Sequence, residues 1–236
     1  MHTLQQALNH LSGGRVLDVG TGNGNFARTL IENLKDYSEM VGVDTNERVL
    51  NAARENFKQE NVHFLMMDAE RLDFPDASFD TVCIANSLHH LANPSQVLSE
   101  MKRVLKPGGI FIIVETYRDH QTDTQLTNVH LHHWWAAVDT ALGTTHHETY
   151  TRQQIEEIVA SLVLRNLALY DYAELERDPK DAAMLELLDK RIDQTLARAQ
   201  TTPNAIALQQ RGTELCARLH AVGFHSATDL IAIGEK

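Results

Sequence analysis

A doubly wound α/β fold, with helices on both faces of a mostly parallel sheet, is what this chain predicts, and three observations predict it. Short apolar runs alternate with helix-patterned segments from residue 15 to residue 115. The first run, Arg15–Val19, breaks into three alternate glycines, Gly20, Gly22 and Gly24. The next two runs each close on a carboxylate, Asp44 and Asp68. Strict alternation of strand and helix builds a parallel sheet covered on both sides. A glycine-rich turn between strand and helix brings bare backbone and a helix N-terminus up to a ligand.

The elements follow in order. Leu4–Leu11 reads as a short lead-in helix ending at Gly13-Gly14. After the first strand, Asn25–Asp36 carries Phe26, Ala27, Leu30, Ile31 and Leu34 at helical spacing. Glu39–Asp44 is a second buried strand. Thr45 or Asn46 caps a helix whose apolar face is Val49, Leu50, Ala53 and Phe57. Val62–Met67 and Phe79–Ala85 are the third and fourth strands. In the following helix Asn93 is the N-cap, Pro94 sits at N1, and Gln96 at N3 completes a capping-box pattern. Lys106-Pro107-Gly108-Gly109 ends it in a tight turn, and Ile110–Val114 is the fifth strand.

Beyond Glu115 the alternation stops. Gln121–Leu142 reads as a helix with Leu131, Trp135, Val138 and Leu142 on one stripe, a helical cover inserted after strand five. Thr151 caps another helix, with Gln154 at N3. Leu167–Tyr172 is a sixth strand and Thr228–Ile233 a seventh. Between them Asp181–Ala199 and Asn204–Val222 form an extra helical pair. The expectation is a single domain over 1–236, with a ligand-binding half at 12–118, a cover at 119–150 and a helical hairpin at 180–222.

Composition narrows the function classes. A net charge of −11 argues against a nucleic-acid backbone as the partner, because that requires a basic stripe. The two cysteines, Cys83 and Cys216, supply neither a disulfide framework nor a zinc-knuckle spacing. Cys83, inside an apolar run, reads as a small core residue. No segment reaches the length of a membrane span. The first residues, Met1 to Gln6, lack a basic start followed by an apolar stretch, so a cytoplasmic protein without a secretory leader is expected.

Five motifs in order carry a resemblance. They are Leu17-Asp18-Val19-Gly20-Thr21-Gly22-Asn23-Gly24, Val43-Asp44, Met67-Asp68-Ala69, Asn86-Ser87-Leu88-His89-His90-Leu91 and Leu105-Lys106-Pro107-Gly108-Gly109. Together they resemble the class I S-adenosylmethionine-dependent methyltransferases, a Rossmann-like fold, and within them the type-11 group that includes quinone-biosynthesis C-methyltransferases. The resemblance covers residues 12–118 well and is weaker over 145–175. It implies a seven-stranded sheet and S-adenosylmethionine as cofactor, with methyl transfer to a small-molecule acceptor by in-line displacement. Asp18, Gly20, Thr21, Gly22, Asn23 and Gly24 would border the methionine end. Asp44 and Thr45 would meet the ribose diol, Asp68 and Ala69 the adenine, and Asn86 the crevice at the fourth strand end. Each has a plainer reading: Asp44 and Asp68 can cap helices, and the His89-His90 pair either shapes the pocket or caps the strand.

Six histidines crowd residues 120–147: His120, His130, His132, His133, His146 and His147. On a helix His130 and His133 share a face one turn apart. With His146, His147 and Glu148 they could ligate a transition metal ion, although no compact metal motif is matched. Alternatively one of them, His133 or His146, acts as general base toward the acceptor, or the group lines a polar pocket. Three other readings stay open. The glycine turn could serve a dehydrogenase, although its Gly-x-Gly-x-Gly spacing departs from the dinucleotide pattern. The chain could be a non-catalytic cofactor-binding module that dimerises through the helical hairpin, or a metal-dependent enzyme using the 120–147 cluster.

Overall fold

The structure, a computed structural model, describes residues 4–236; Met1–Thr3, on which part of the leader reading rests, lie outside the described residues. Its elements are α1 (Leu4–Leu8), β1 (Arg15–Val19), α2 (Asn25–Asn33), β2 (Glu39–Asp44), α3 (Glu47–Asn56), β3 (Val62–Met66) and β4 (Phe79–Ala85). Then come α4 (Pro94–Val104), β5 (Leu105–Thr116), α5 (Asp123–Ala141), α6 (Arg152–Ser161), β6 (Arg165–Tyr172), α7 (Ala182–Ala199), α8 (Ala205–Val222) and β7 (Asp229–Glu235). The chain divides into two compact units. One holds the residues up to 115 with 155–172 and 230–236; the other holds 116–154 and 173–229.

The sheet has seven strands in the order β3-β2-β1-β4-β5-β7-β6. β1 pairs in parallel with β2 and with β4, β2 with β3, and β4 with β5. Chain order reverses between β1 and β4, and open α/β sheets bind ligands at such a switch point, beyond the carboxyl ends of the strands. Register brings those ends level: Val19 lies beside Val43 on one side and Ile84 on the other. Gly20, Asp44 and Ala85 therefore stand along one edge. The strand interiors are buried, and Ala27 and Leu30 of α2 join Leu50 and Ala53 of α3 in the same apolar core.

Helix starts follow the local chemistry. Asn46, not Thr45, caps α3 by accepting from the Arg48 amide at 3.0 Å. Asn93 accepts from the Gln96 amide at 3.4 Å. The Gln96 side chain donates to the Glu70 carbonyl at 3.1 Å, so the expected capping box is only half made. Thr151 and Gln154 do form a full box at α6. A second box, Thr122 with Gln125, starts α5 and was not foreseen. β5 begins five residues earlier than expected, because Leu105 already pairs with Phe79 before Lys106–Gly109 bulge out of the ladder and Ile110 pairs with Thr81.

In the second unit α7 and α8 are not an isolated hairpin. They pack with α5 around Leu131, Trp134, Trp135, Val138, Leu188, Ile192 and Leu219. Trp134 donates its indole N–H to the Leu208 carbonyl at 2.8 Å. Among the described residues no helix is long and apolar enough to cross a membrane.

Candidate functional site

The glycine turn forms for steric reasons. Gly20 has φ +66°, and a Cβ there would stand 2.7 Å from Ser87 Oγ. Gly24, with φ +84°, begins α2, and a Cβ would meet the Phe57 ring at 2.7 Å. Only glycine meets both demands. The turn is tied down on each side: the Thr21 amide donates to the Val43 carbonyl, and Ser87 Oγ donates to the Gly20 carbonyl at 3.1 Å.

A cavity of about 220 Å³ opens beside this turn, at the sheet's switch point. Gly20, Asp44, Thr45 and Ala69 line it, together with Val19, Val43, Met67, Ser87, His90 and Leu91. The first four are residues the sequence singled out for cofactor binding. Asp44 is held by two backbone donors, Gly22 N–H to Oδ2 at 3.0 Å and Asn46 N–H to Oδ1 at 2.9 Å. Each carboxylate oxygen keeps further lone-pair capacity for a ligand hydroxyl.

The remaining expected cofactor residues fall around the cavity rather than among its lining. Asp18 is buried beneath the turn, where Thr21 Oγ1 donates to Oδ2 at 2.7 Å and the Cys83 thiol points to Oδ1. Burial, the dominant effect, raises its pKa to about 6 against the opposing hydrogen bonds from Thr21 and Cys83. Thr21 is buried with it, and Gly22 is the donor to Asp44. Asn23 and Asp68 are exposed. Asp68 caps a turn, accepting from the Glu70 amide at 2.9 Å. Asn86 is exposed with φ +47°, a left-handed conformation that asparagine tolerates better than most residues.

His90, of the pair expected to shape the pocket or cap the strand, stands on the wall, and Ser87 and Met67 are wall residues to which the sequence assigned no role. Beside them is a buried pair it missed. Glu115, at the end of β5, accepts from the Leu88 amide at 3.0 Å and also bonds His89 Nδ1. Both side chains are almost wholly inaccessible. This pair pins the one-turn helix 88–90, and so fixes where His90 stands on the cavity wall. The signal was present, since Glu115 closes an apolar strand as Asp44 does.

In the helical unit the histidines sort differently from the sequence expectation. His130 and His133 do share a face and line one cavity with Glu148 and Arg211. His133, His146 and His147 line another. However, His130, His133, His146 and His147 do not converge into one metal-spaced cluster among the described residues. His146 instead bonds Asp139 through Nδ1 at 2.7 Å and approaches His132 Nε2 at 3.3 Å through its own Nε2. His132 and Asp139 are seven residues apart, two helical turns, and therefore share a stripe of α5. Burial pushes the Asp139 carboxyl up, but the hydrogen bonds from His146 and Arg198 outweigh it and hold the pKa below the ordinary value. His133 bonds Thr149 Oγ1 at 2.9 Å. Burial, with Arg218 and Arg211 nearby, lowers the pKa of His130.

Comparison with known proteins agrees with this picture. Residues 17–113 match the family described as a methyltransferase domain. The Coxiella burnetii ubiquinone/menaquinone biosynthesis C-methyltransferase UbiE is 35% identical over 108 residues, 44% of this chain and 43% of that protein. The demethylmenaquinone methyltransferase of Deinococcus radiodurans is 45% identical over 112 residues, 47% of this chain and 46% of its own length. The chain thus spans less than half the length of these curated relatives. In structure, the YcgJ protein of Bacillus subtilis superposes with a TM-score of 0.60 at 21% identity, covering 97% of this chain and 94% of that one. At that identity the likeness establishes the fold.

Proposed function

We propose that the chain, whose residues 17–113 match a methyltransferase domain, transfers the methyl group of S-adenosylmethionine to a small-molecule acceptor. The observation that carries this reading is Asp44. Its two oxygens are fixed by backbone amides on the wall of a cavity at the sheet's switch point, which suits a vicinal diol. The donor set fits the cofactor. Asp44 would accept from the ribose hydroxyls, the Ala69 amide would donate to the adenine ring, and Asp68 would accept from the exocyclic amine. Asp18, buried beneath the turn, would support the methionine end.

The bound cofactor supplies a methyl group activated by its sulfonium leaving group. The chain's contribution is to align the acceptor and exclude water, and orientation of this kind is worth at most about 7–11 kcal/mol. Residues 119–150 serve as the acceptor cover. Within it the proton-accepting role falls to His133 or His146, which line the same cavity of the helical unit. The acceptor class favoured by the named relatives is a quinone precursor. A homodimer, if formed, would be sought on the helical pair, where Leu187 and Ile206 are exposed.

Formation of S-adenosylhomocysteine, followed with a panel of acceptors that includes demethylated quinones, tests the reading. Turnover with at least one acceptor, lost in Asp44→Ala, supports it. Tight cofactor binding with no turnover on any acceptor would favour the non-catalytic module instead.

A further inference from the structure

The last two helices of the helical unit carry a second constellation, remote in sequence from the 120–147 histidines. Cys216 and His220 stand one turn apart on α8, and Asp189 stands on α7, which packs against it. Asp189 Oδ1 lies 3.0 Å from His220 Nε2 and 3.7 Å from Cys216 Sγ. One donor atom from each of the three lies within 4.8 Å of the others. We propose that Asp189, Cys216 and His220 bind a borderline-soft divalent cation, zinc above all, which clamps α7 to α8.

Geometry is the first support. Zinc takes nitrogen and oxygen at about 2.0–2.1 Å and sulfur at about 2.3 Å in a tetrahedron, which spaces neighbouring donor atoms by about 3.3–3.6 Å. The two observed separations bracket that range, so small side-chain rotations complete the site. A helical pair at i and i+4 plus one residue from a packed neighbour is already ordered, and little freedom is lost on binding. Three protein donors leave one position for water.

Chemistry is the second. A mixed thiolate, imidazole and carboxylate set selects zinc or cobalt over magnesium and calcium, which prefer all-oxygen shells. Burial raises the Cys216 pKa, and Asp189 and Asp193 raise it further. A divalent cation reverses that balance: the sulfur–metal bond forms as the thiol proton leaves to solvent. An entry route exists, because the His220 and Asp189 side chains are 51% and 35% exposed. No short motif announces this site, since Asp189 lies 27 residues from Cys216.

The test is a cobalt titration of the metal-stripped, reduced chain, followed by zinc competition. Cys83 is fully buried, so a thiolate-to-cobalt charge-transfer band reports on Cys216. The expected result is one cobalt per chain with that band and tetrahedral visible absorption, both erased by one equivalent of zinc. Cys216→Ser should abolish the band. His220→Ala and Asp189→Asn should each weaken zinc binding by at least about tenfold, while His146→Ala leaves the band unchanged. Absence of the band in the unmodified chain at millimolar cobalt would overturn the proposal without recourse to any variant. So would a band that survives unweakened in both His220→Ala and Asp189→Asn, or one that disappears in His146→Ala while the fold is intact.

Discussion

The two units of this chain put chemistry in place by different means. In the sheet unit the functional groups stand at strand ends: Gly20 after β1, Asp44 closing β2, Ser87 just past β4 and Glu115 near the end of β5. Each stands within two residues of a strand end, so the same register that builds the core also delivers the site. In the helical unit the groups meet across turns and between helices. His132, Asp139 and His146 join a stripe of α5 to the segment after it, and Asp189 reaches Cys216 and His220 from another helix. The lesson is that a parallel sheet gathers its site from the ends of its strands, whereas a helical bundle builds its own from positions spread across helix turns and between helices.

Substitutions sharpen that contrast, and the largest effect is expected in the bundle core. Trp134 is buried among α5, α7 and α8 and donates to the Leu208 carbonyl. Trp134→Ala should destabilise the chain by about 3–5 kcal/mol, read as a lowered denaturation midpoint. A loss below about 1 kcal/mol would mean that the three helices do not form one core.

Asp18 tests the sheet unit through pH. Its folded pKa of about 6 lies above its ordinary 3.8, so the unfolded chain releases this proton first. The folded state then binds more protons between those values, and stability falls as pH rises through the window. Above it the penalty is complete, at about 3 kcal/mol. Asp18→Asn removes the titration and should gain on the parent chain from pH 4 to pH 7.5 by up to that amount. Urea midpoints at several pH values check this; a gap that does not change with pH would contradict it. Cofactor affinity should fall in the same variant.

Smaller effects follow. Asp139→Ala strips His146 Nδ1 and Arg198 of their shared partner. The expected cost is about 1–3 kcal/mol, visible as a lower thermal midpoint. Because the Asp139 pKa is lowered in the folded state, its contribution is present at neutral pH and fades only as pH drops through that lowered value. At the bottom of the scale is the exposed pair Lys190 and Glu186. Glu186→Gln should change stability by less than about 0.5 kcal/mol.

How much was legible follows from the same contrast. Apolar runs, the glycine turn and the caps at Asn46, Asn93 and Thr151 placed nearly every element, because each acts through residues a few positions apart. The early start of β5 was missed because Lys106–Gly109 reads as a turn, and only pairing with Phe79 shows that the strand has already begun. The cavity wall was read in part: Asp44 and Ala69 were named and His90 was offered as a pocket-shaping residue, but Ser87 arrives with a one-turn helix that Glu115 holds from another strand. Among the histidines, spacing at i and i+3 singled out His130 with His133, which do line one cavity. The pairing at i and i+7, and the chain's return through His146, place Asp139 and His132 together instead.

The most direct check of the central claim is the melting temperature with and without saturating S-adenosylhomocysteine, for the parent chain and for Asp44→Ala. At 100 times the dissociation constant a ligand adds about 2.7 kcal/mol, a rise of a few degrees for a chain of this size. The account predicts that rise for the parent chain and its loss in a folded Asp44→Ala. No rise in the parent chain, or an equal rise in both, would contradict a cofactor site built on Asp44.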